Sequence, residues 1–331
     1  MSRPPQPEPF LRGCAFDGTS DVPYPRAALA PPGDRLPADT LAAASLPVGV
    51  RFEWEGDARA VVVDYEARET DLGYRGDGAG RRFVLYRGLD RVDARPARLG
   101  RHRVTLSTGV GDGVRSLYLP EGMKPVVYGL VGVEGRLEPA PSRPRWLCYG
   151  DSIAEGWIAT EPSLAWPAVV GRERELDGVN LGYAGSARGE VVSAEQLASL
   201  SADVISLTHG TNCWSRTPHS VGLFREGLEA FLRVLRQGHP ETPIVAVSPI
   251  VRPDAEGTPN LLGATLAGLR ACFEDVVGER VARGDAQLSL VEGAPLVRPD
   301  ALPDGIHPGD DGHRALAAQL GPILARAARP L

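Results

Sequence analysis

The spacing of apolar positions changes character near residue 140. From about Leu46 the chain runs in short blocks: VGVRFEWEG, AVVVDYEAR, RRFVLYRG, HRVTLSTG and SLYLPEG. Apolar and polar positions alternate, clearly at Val50, Phe52 and Trp54 and again at Val104 and Leu106. Gly, Asp and Arg punctuate the blocks. This period of two predicts antiparallel strands joined by turns, and no helical period stands out before residue 140. A small β-sandwich is expected there, behind an irregular lead-in rich in proline and glycine.

EPAPSRPR (138–145) reads as a linker, because its prolines favour an extended chain. Beyond it, apolar runs alternate with longer helical patterns. RWLCYG precedes SLAWPAVVGRERE, GVNLGY precedes EVVSAEQLASL, and DVISLTHG precedes VGLFREGLEAFLRVLRQ. PIVAVSPI, LLGATLAGLRACFEDVVGERVARG, LSLVEGAPLV and GHRALAAQLGPILARAAR continue the rhythm. Alternating strand and helix implies an α/β unit with a parallel sheet covered on both faces. The expected division is residues 1–140 and 141–331.

The length of 331 residues suits two domains. The formal charge of −6 is spread along the chain, with no basic stripe of the kind nucleic acid requires. No stretch is apolar enough for a membrane span, and MSRPPQPEPFLRG lacks the apolar heart of a signal peptide. The expectation is a cytoplasmic protein with neither nucleic-acid nor membrane partner. Cys14, Cys148, Cys213 and Cys272 show no paired spacing and read as free, partly buried thiols. GDGAG (76–80) lacks the ending and context of a phosphate loop and reads as a hairpin turn.

Ligands of parallel sheets bind at the carboxyl ends of the strands, where four small, polar clusters fall. They are Gly150-Asp151-Ser152, NLGYAGSARG with Gly182 and Gly185, THGTNCW with Gly210 and Asn212, and PDGIHP with Asp304 and His307. Singly they are ordinary: a serine there caps a helix, and the others make turns. Together they supply the parts of a serine acyl-transfer site. A serine hydroxyl needs a base to become a nucleophile. An imidazole can serve near neutral pH, and a carboxylate holds its tautomer. Asp304, three residues before His307, can meet it within one loop that Pro303 and Pro308 stiffen. The backbone amides of Ser152 and Gly185 and the Asn212 side chain could stabilise an oxyanion.

On these blocks the chain resembles the SGNH, or GDSL esterase/lipase, family. Its four signature residues map to Ser152, Gly185, Asn212 and His307, and the aspartate before the histidine maps to Asp304. The likeness covers about residues 145–331. It implies a flavodoxin-like three-layer α/β/α domain and serine catalysis with no metal or other cofactor. One departure is Cys213, where the third block often carries aspartate. Gly150-Asp-Ser152-Ile-Ala154 also differs from the G-x-S-x-G elbow of α/β-hydrolases.

Other polar residues have plainer readings. Asp304, His307, Asp310 and His313 are all metal-ligand types, but a metal would leave the serine block unexplained. His313 is expected to begin the last helix, capped by Asp310 or Asp311. His102, His219 and His239 are expected to be exposed. Trp157, Trp214, Arg188 and His209 are candidates for substrate binding, with packing or solvation as the alternative.

A jelly-roll-like sandwich before such a domain is similar in architecture to carbohydrate esterases and to tailoring acyltransferases of bacterial polyketide pathways. Three functions follow. The first is an acyl-ester hydrolase. The second is an acyltransferase to a hydroxyl of a small-molecule or natural-product acceptor. The third is a non-catalytic glycan-binding protein. The expected partner is a small ester or acyl donor, carbohydrate or polyketide in type. The oligomeric state is not legible.

Overall fold

The computed structural model describes residues 8–30, 35–70 and 79–329. Most of the GDGAG segment therefore lies outside the described residues.

The first half holds β1 (Leu11–Arg12), α1 (Ala38–Ala44), β2 (Arg51–Glu55), β3 (Ala60–Ala67) and β4 (Arg82–Arg87). It continues with β5 (Asp90–Pro96), β6 (Gly100–Ser107), β7 (Arg115–Tyr118), β8 (Pro125–Val133) and β9 (Glu138–Pro139). One antiparallel sheet has the order β1-β2-β7-β4-β5, with β9 also on β2, and the second is β6-β3-β8. Their inner faces meet over one core. Val50, Phe52, Trp54, Phe83, Leu85 and Leu117 come from the first sheet side, and Val61, Val63, Tyr65, Leu106 and Val127 from the second. The strict alternation of burial along β3 is the period-two pattern of the sequence made physical.

The expectation of no helix before residue 140 is corrected by α1. Its seven residues, ADTLAAA, are too few to establish a period. The lead-in around it is bonded into the second half of the chain. Ala28 N donates to Gln196 Oε1 (2.8 Å), and Arg35 pairs with Glu195. Ala27, Leu36 and Ala44 pack in a core with Leu181, Ala194 and Leu197.

The second half holds β10 (Arg145–Gly150), α2 (Ser152–Glu155), α3 (Trp166–Arg174), β11 (Asp177–Gly182), α4 (Val191–Ala198) and β12 (Val204–Thr208). After these come α5 (Thr211–Trp214), α6 (Val221–Gly238), β13 (Ile244–Val247), α7 (Leu266–Ala282), β14 (Leu288–Val291) and α8 (Asp310–Ala327). The five strands are all parallel, in the order β11-β10-β12-β13-β14. Side chains on β10 alternate between two cores. Leu147 and Tyr149 face α4, α6 and α7, while Trp146 and Cys148 face α3 and α8. This is the expected three-layer sandwich. α6 buries Phe224, Leu228, Phe231, Leu232 and Leu235, the stripe of an amphipathic helix, and Ser220 caps it by accepting from Leu223 N.

α8 begins differently from expectation. Gly309 is the N-cap and makes no side-chain bond, and Asp310 and Asp311 lie in the first turn. Asp310 is engaged elsewhere: its carboxylate accepts from Thr160 N (2.9 Å) and Thr160 Oγ1 (2.7 Å). Among the described residues no helix is long and apolar enough to cross a membrane.

Candidate active site

The strand order brings three of the four clusters side by side, because β10 lies between β11 and β12. The β10 end carries Ser152, the turn after β11 carries Gly185, and α5 after β12 carries Asn212. The fourth arrives from beyond β14. Asp310 on Thr160 and His313 Nε2 near Trp157 O (3.2 Å) tie the start of α8 to the chain after α2. The loop 302–309 is thereby carried over Ser152.

Ser152 Oγ lies 2.8 Å from His307 Nε2, and His307 Nδ1 lies 2.7 Å from Asp304 Oδ2. In the tautomer with hydrogen on Nδ1, the ring donates to Asp304 and accepts the serine hydroxyl at Nε2. Asp304 Oδ1 accepts from the backbone of Ile306 (2.9 Å) and His307 (2.7 Å). Burial alone would raise this carboxyl. The His307 ring and these two N–H groups outweigh it and hold Asp304 below its ordinary value. A charged carboxylate is therefore aimed at the imidazole.

The cap of α2 is Asp151, whose carboxylate accepts from Ile153 N (3.0 Å). Ser152 is left to face His307. Asp151 is buried, and desolvation raises its carboxyl above the ordinary value despite bonds to Ile153 and Thr211 and the nearby His307.

Two glycines set the close geometry. A Cβ on Gly182 would collide with the backbone of Glu155, so only glycine lets β11 lie against α2. Gly185 has φ +71°, a left-handed turn that glycine adopts without penalty. Asn212 is buried, and its amide donates one hydrogen to Ala187 O (3.1 Å). This fixes the side chain and leaves a second N–H on the same nitrogen.

The remaining candidates separate. Trp157 stands beside the histidine, with ring centres 6.0 Å apart. Trp214 donates from Nε1 to Thr258 O (2.8 Å) under the Arg252 guanidinium. Arg188 is neither solvated nor free for an anion. It pairs with both oxygens of Asp39 (2.9 and 2.8 Å), with Glu190 (3.1 Å), and with Thr217 Oγ1. His209 is 2% exposed among Tyr149, Phe224, Phe231 and Phe273. Burial lowers its pKa to about 3. It is a neutral histidine packed within the core. His239 is buried as well, contrary to expectation, with Nε2 2.8 Å from Leu197 O. Among the described residues no group of three or more His, Cys, Asp or Glu is placed to hold a metal ion.

Sequence reasoning missed the Asp151 cap and the Thr160–Asp310 tie. It also missed Arg216, an exposed residue whose Nε lies 3.6 Å from where a Gly185 Cβ would be. The cap is local, a bond two residues long that Ser152 could equally have made, while the other two depend on contacts across the fold that no spacing announces.

A five-stranded parallel sheet with a Ser–His–Asp relay at its carboxyl edge defines the class of SGNH-type enzymes. The GDSL-like lipase/acylhydrolase family model matches residues 148–315, half of the chain, and the chain belongs to that family. No curated protein matches it. Among solved structures it resembles the salicylyl-acyltransferase SsfX3 from a tetracycline biosynthetic pathway. The two are 24% identical, with 94% of this chain and 92% of that one covered and a TM-score of 0.79. A protein described as a GDSL-like lipase from Bacteroides ovatus is 19% identical, with 96% and 95% covered and a TM-score of 0.78. A family two carbohydrate esterase from Clostridium thermocellum, solved with cellohexaose, is 15% identical, with 84% and 92% covered and a TM-score of 0.63. These likenesses concern the fold, and the first two span both halves of the chain.

Proposed function

We propose that the chain is a serine-dependent acyl-ester hydrolase working through an acyl-enzyme on Ser152. The observation that carries this is the continuous relay from Ser152 Oγ through His307 to Asp304, at 2.8 and 2.7 Å. In this reading Ser152 Oγ attacks the ester carbonyl as His307 Nε2 takes its proton. Asp304 keeps the opposite ring nitrogen protonated and stabilises the imidazolium. The N–H groups of Ser152 and Gly185 and the second N–H of Asn212 receive the oxyanion. His307 then protonates the leaving alcohol. Water, deprotonated by the same ring, releases the acid and restores Ser152. Trp157 walls the acyl site beside His307. Four free thiols fit a reducing cytoplasm.

A second reading keeps the acyl-enzyme and replaces water with an alcohol acceptor. The whole-chain likeness to an acyltransferase favours testing it alongside. Substrates of either kind would be small esters or acyl donors, carbohydrate or polyketide in type.

The test is intact-protein mass spectrometry after treatment with a fluorophosphonate. One adduct on wild type, absent from Ser152→Ala of equal thermal stability, is expected. A stable Ser152→Ala that still acquires the adduct would sink the reading. Partition of a p-nitrophenyl ester between free acid and a new ester, with added alcohols, then separates hydrolysis from transfer.

A further inference from the structure

Beneath the Gly185 turn lies an ion pair that the relay does not use. Arg26, from the lead-in, and Glu155, the last residue of α2, meet at 3.4 Å with side chains 0% and 1% exposed. A lone carboxylate at that depth would be costly, and so would a lone guanidinium. Both are satisfied by bonds, some in the lead-in and some toward the Gly185 turn.

Arg26 Nε donates to Leu46 O (2.8 Å) and Nη2 to Ala43 O (2.6 Å), which seats the guanidinium in the lead-in. Its Nη1 donates to Gly182 O, the last residue of β11. The Tyr183 hydroxyl donates back to Arg26 O (2.6 Å), and the guanidinium lies 5.3 Å from the centre of that ring. Glu155 Oε2 also accepts from Ala184 N (2.8 Å). Ala184 immediately precedes Gly185. On the far side of the turn, Ser186 N and Ala187 N both donate to Tyr183 O. The Gly185 amide is thus held between two fixed peptides. One of them is tied by Glu155 to the helix that begins with Ser152.

We infer that Arg26 and Glu155 are a positioning pair. Glu155 sets the distance between the Ser152 turn and the Gly185 turn, and Arg26 holds Glu155 and β11 in that register. The amino-terminal segment then completes the active site of the carboxyl-terminal half instead of belonging to a detachable accessory domain. This rests on the reading of Ser152 as nucleophile and Gly185 as oxyanion donor. A donor displaced by about 1 Å costs on the order of 100-fold in rate, so the pair should control the rate of acylation more than substrate affinity.

The experiment compares Glu155→Gln, Glu155→Ala, Arg26→Met and the double variant Arg26→Met/Glu155→Leu. Thermal stability, fluorophosphonate labelling of Ser152, and kcat and KM on p-nitrophenyl acetate are measured. Arg26→Met alone strands a buried carboxylate and should lower Tm. The double variant removes both charges and should recover most of that Tm, as apolar replacements of buried pairs do. It still leaves Ala184 N–H without its acceptor. Its labelling rate and kcat should therefore stay about 10- to 100-fold down with KM within about threefold. Glu155→Gln keeps an acceptor oxygen and should label several-fold faster than Glu155→Ala. Recovery of kcat together with Tm in the double variant would reduce the pair to a structural role. Equal labelling of Glu155→Gln and Glu155→Ala at the wild-type rate would do the same, even if the double variant fails to fold. Wild-type protein that takes no label on Ser152 would instead overturn the nucleophile assignment itself, and this inference with it.

Discussion

Asp151 and Ser152 are adjacent and divide two tasks that one serine could have performed. The carboxylate caps α2, which frees the hydroxyl for His307. Asp151→Ala should cost about 1 kcal/mol, while Asp151→Asn, which keeps a capping oxygen, should cost a few tenths. The pH dependence has a definite sign. Burial raises the Asp151 carboxyl above its ordinary 3.8, so its favourable contribution is full below that value and is lost as pH rises through the folded value. Urea unfolding across pH should show Asp151→Asn gaining on wild type over that rise. A constant difference would mean that Asp151 ionises freely. The relay was legible because Asp304 and His307 are three residues apart and their pairing is local. Arg188 was not legible, since its pairing depends on Asp39, distant in sequence, whereas His209 takes the packed alternative among four aromatic rings.

Elements were readable in proportion to how cleanly one face is buried. β3, with its alternating burial, was read within a residue or two of its ends. β5 was missed. It is the edge of its sheet, DRVDARP, with no fully buried position, and charge on an edge strand deters pairing with other chains. β8, PVVYGLVGV, has no clean alternation, and α1, α2 and α5 are too short to show a period. The contact of α2 with β11 is a demanding one, because Gly182 leaves no room for a methyl group. Gly182→Ala should destabilise by about 1–3 kcal/mol, as overpacking does, and should slow phosphonylation of Ser152. Calorimetry and labelling kinetics read the two effects. Unchanged labelling would show that α2 can retreat without moving Ser152.

At the scale of the molecule, the two halves are joined by buried charge as well as by the chain. Glu53 on β2 accepts from Arg51 (2.7 Å) and pairs with Arg143 of the linker, while Arg51 reaches Asp177 on β11 (2.8 Å). Burial would raise Glu53, but the two guanidinium groups outweigh it and bring its pKa from 4.5 to about 2. Its stabilising contribution is present above 4.5 and is lost as pH falls through about 2. Glu53→Gln should therefore be less stable than wild type at pH 7, with Arg143 losing its counter-charge and Arg51 left with Asp177. The difference should shrink over that window, as chemical denaturation at stepped pH would show. A difference independent of pH would place the Glu53 charge outside the balance that joins the halves. The passage from antiparallel to parallel strands between β9 and β10 was visible as a change of rhythm. The passage of the lead-in back onto β11 and α4 was not, because it is made by isolated residues.

The Arg26–Gly182 bond spans 156 positions, and this has a consequence for synthesis. A chain leaving the ribosome exposes Arg26 long before β11 exists to receive it. Neighbours such as β4 and β5 have their partners at hand and can pair as they emerge. The lead-in must wait, and the relay must wait as well, since His307 follows Ser152 by 155 positions. On the proposed reading, catalytic competence thus waits on non-local contacts, the kind that slow folding generally. On the proposed reading, a nascent chain stalled short of His307 would hold Ser152 without the base that is 2.8 Å from it in the finished fold.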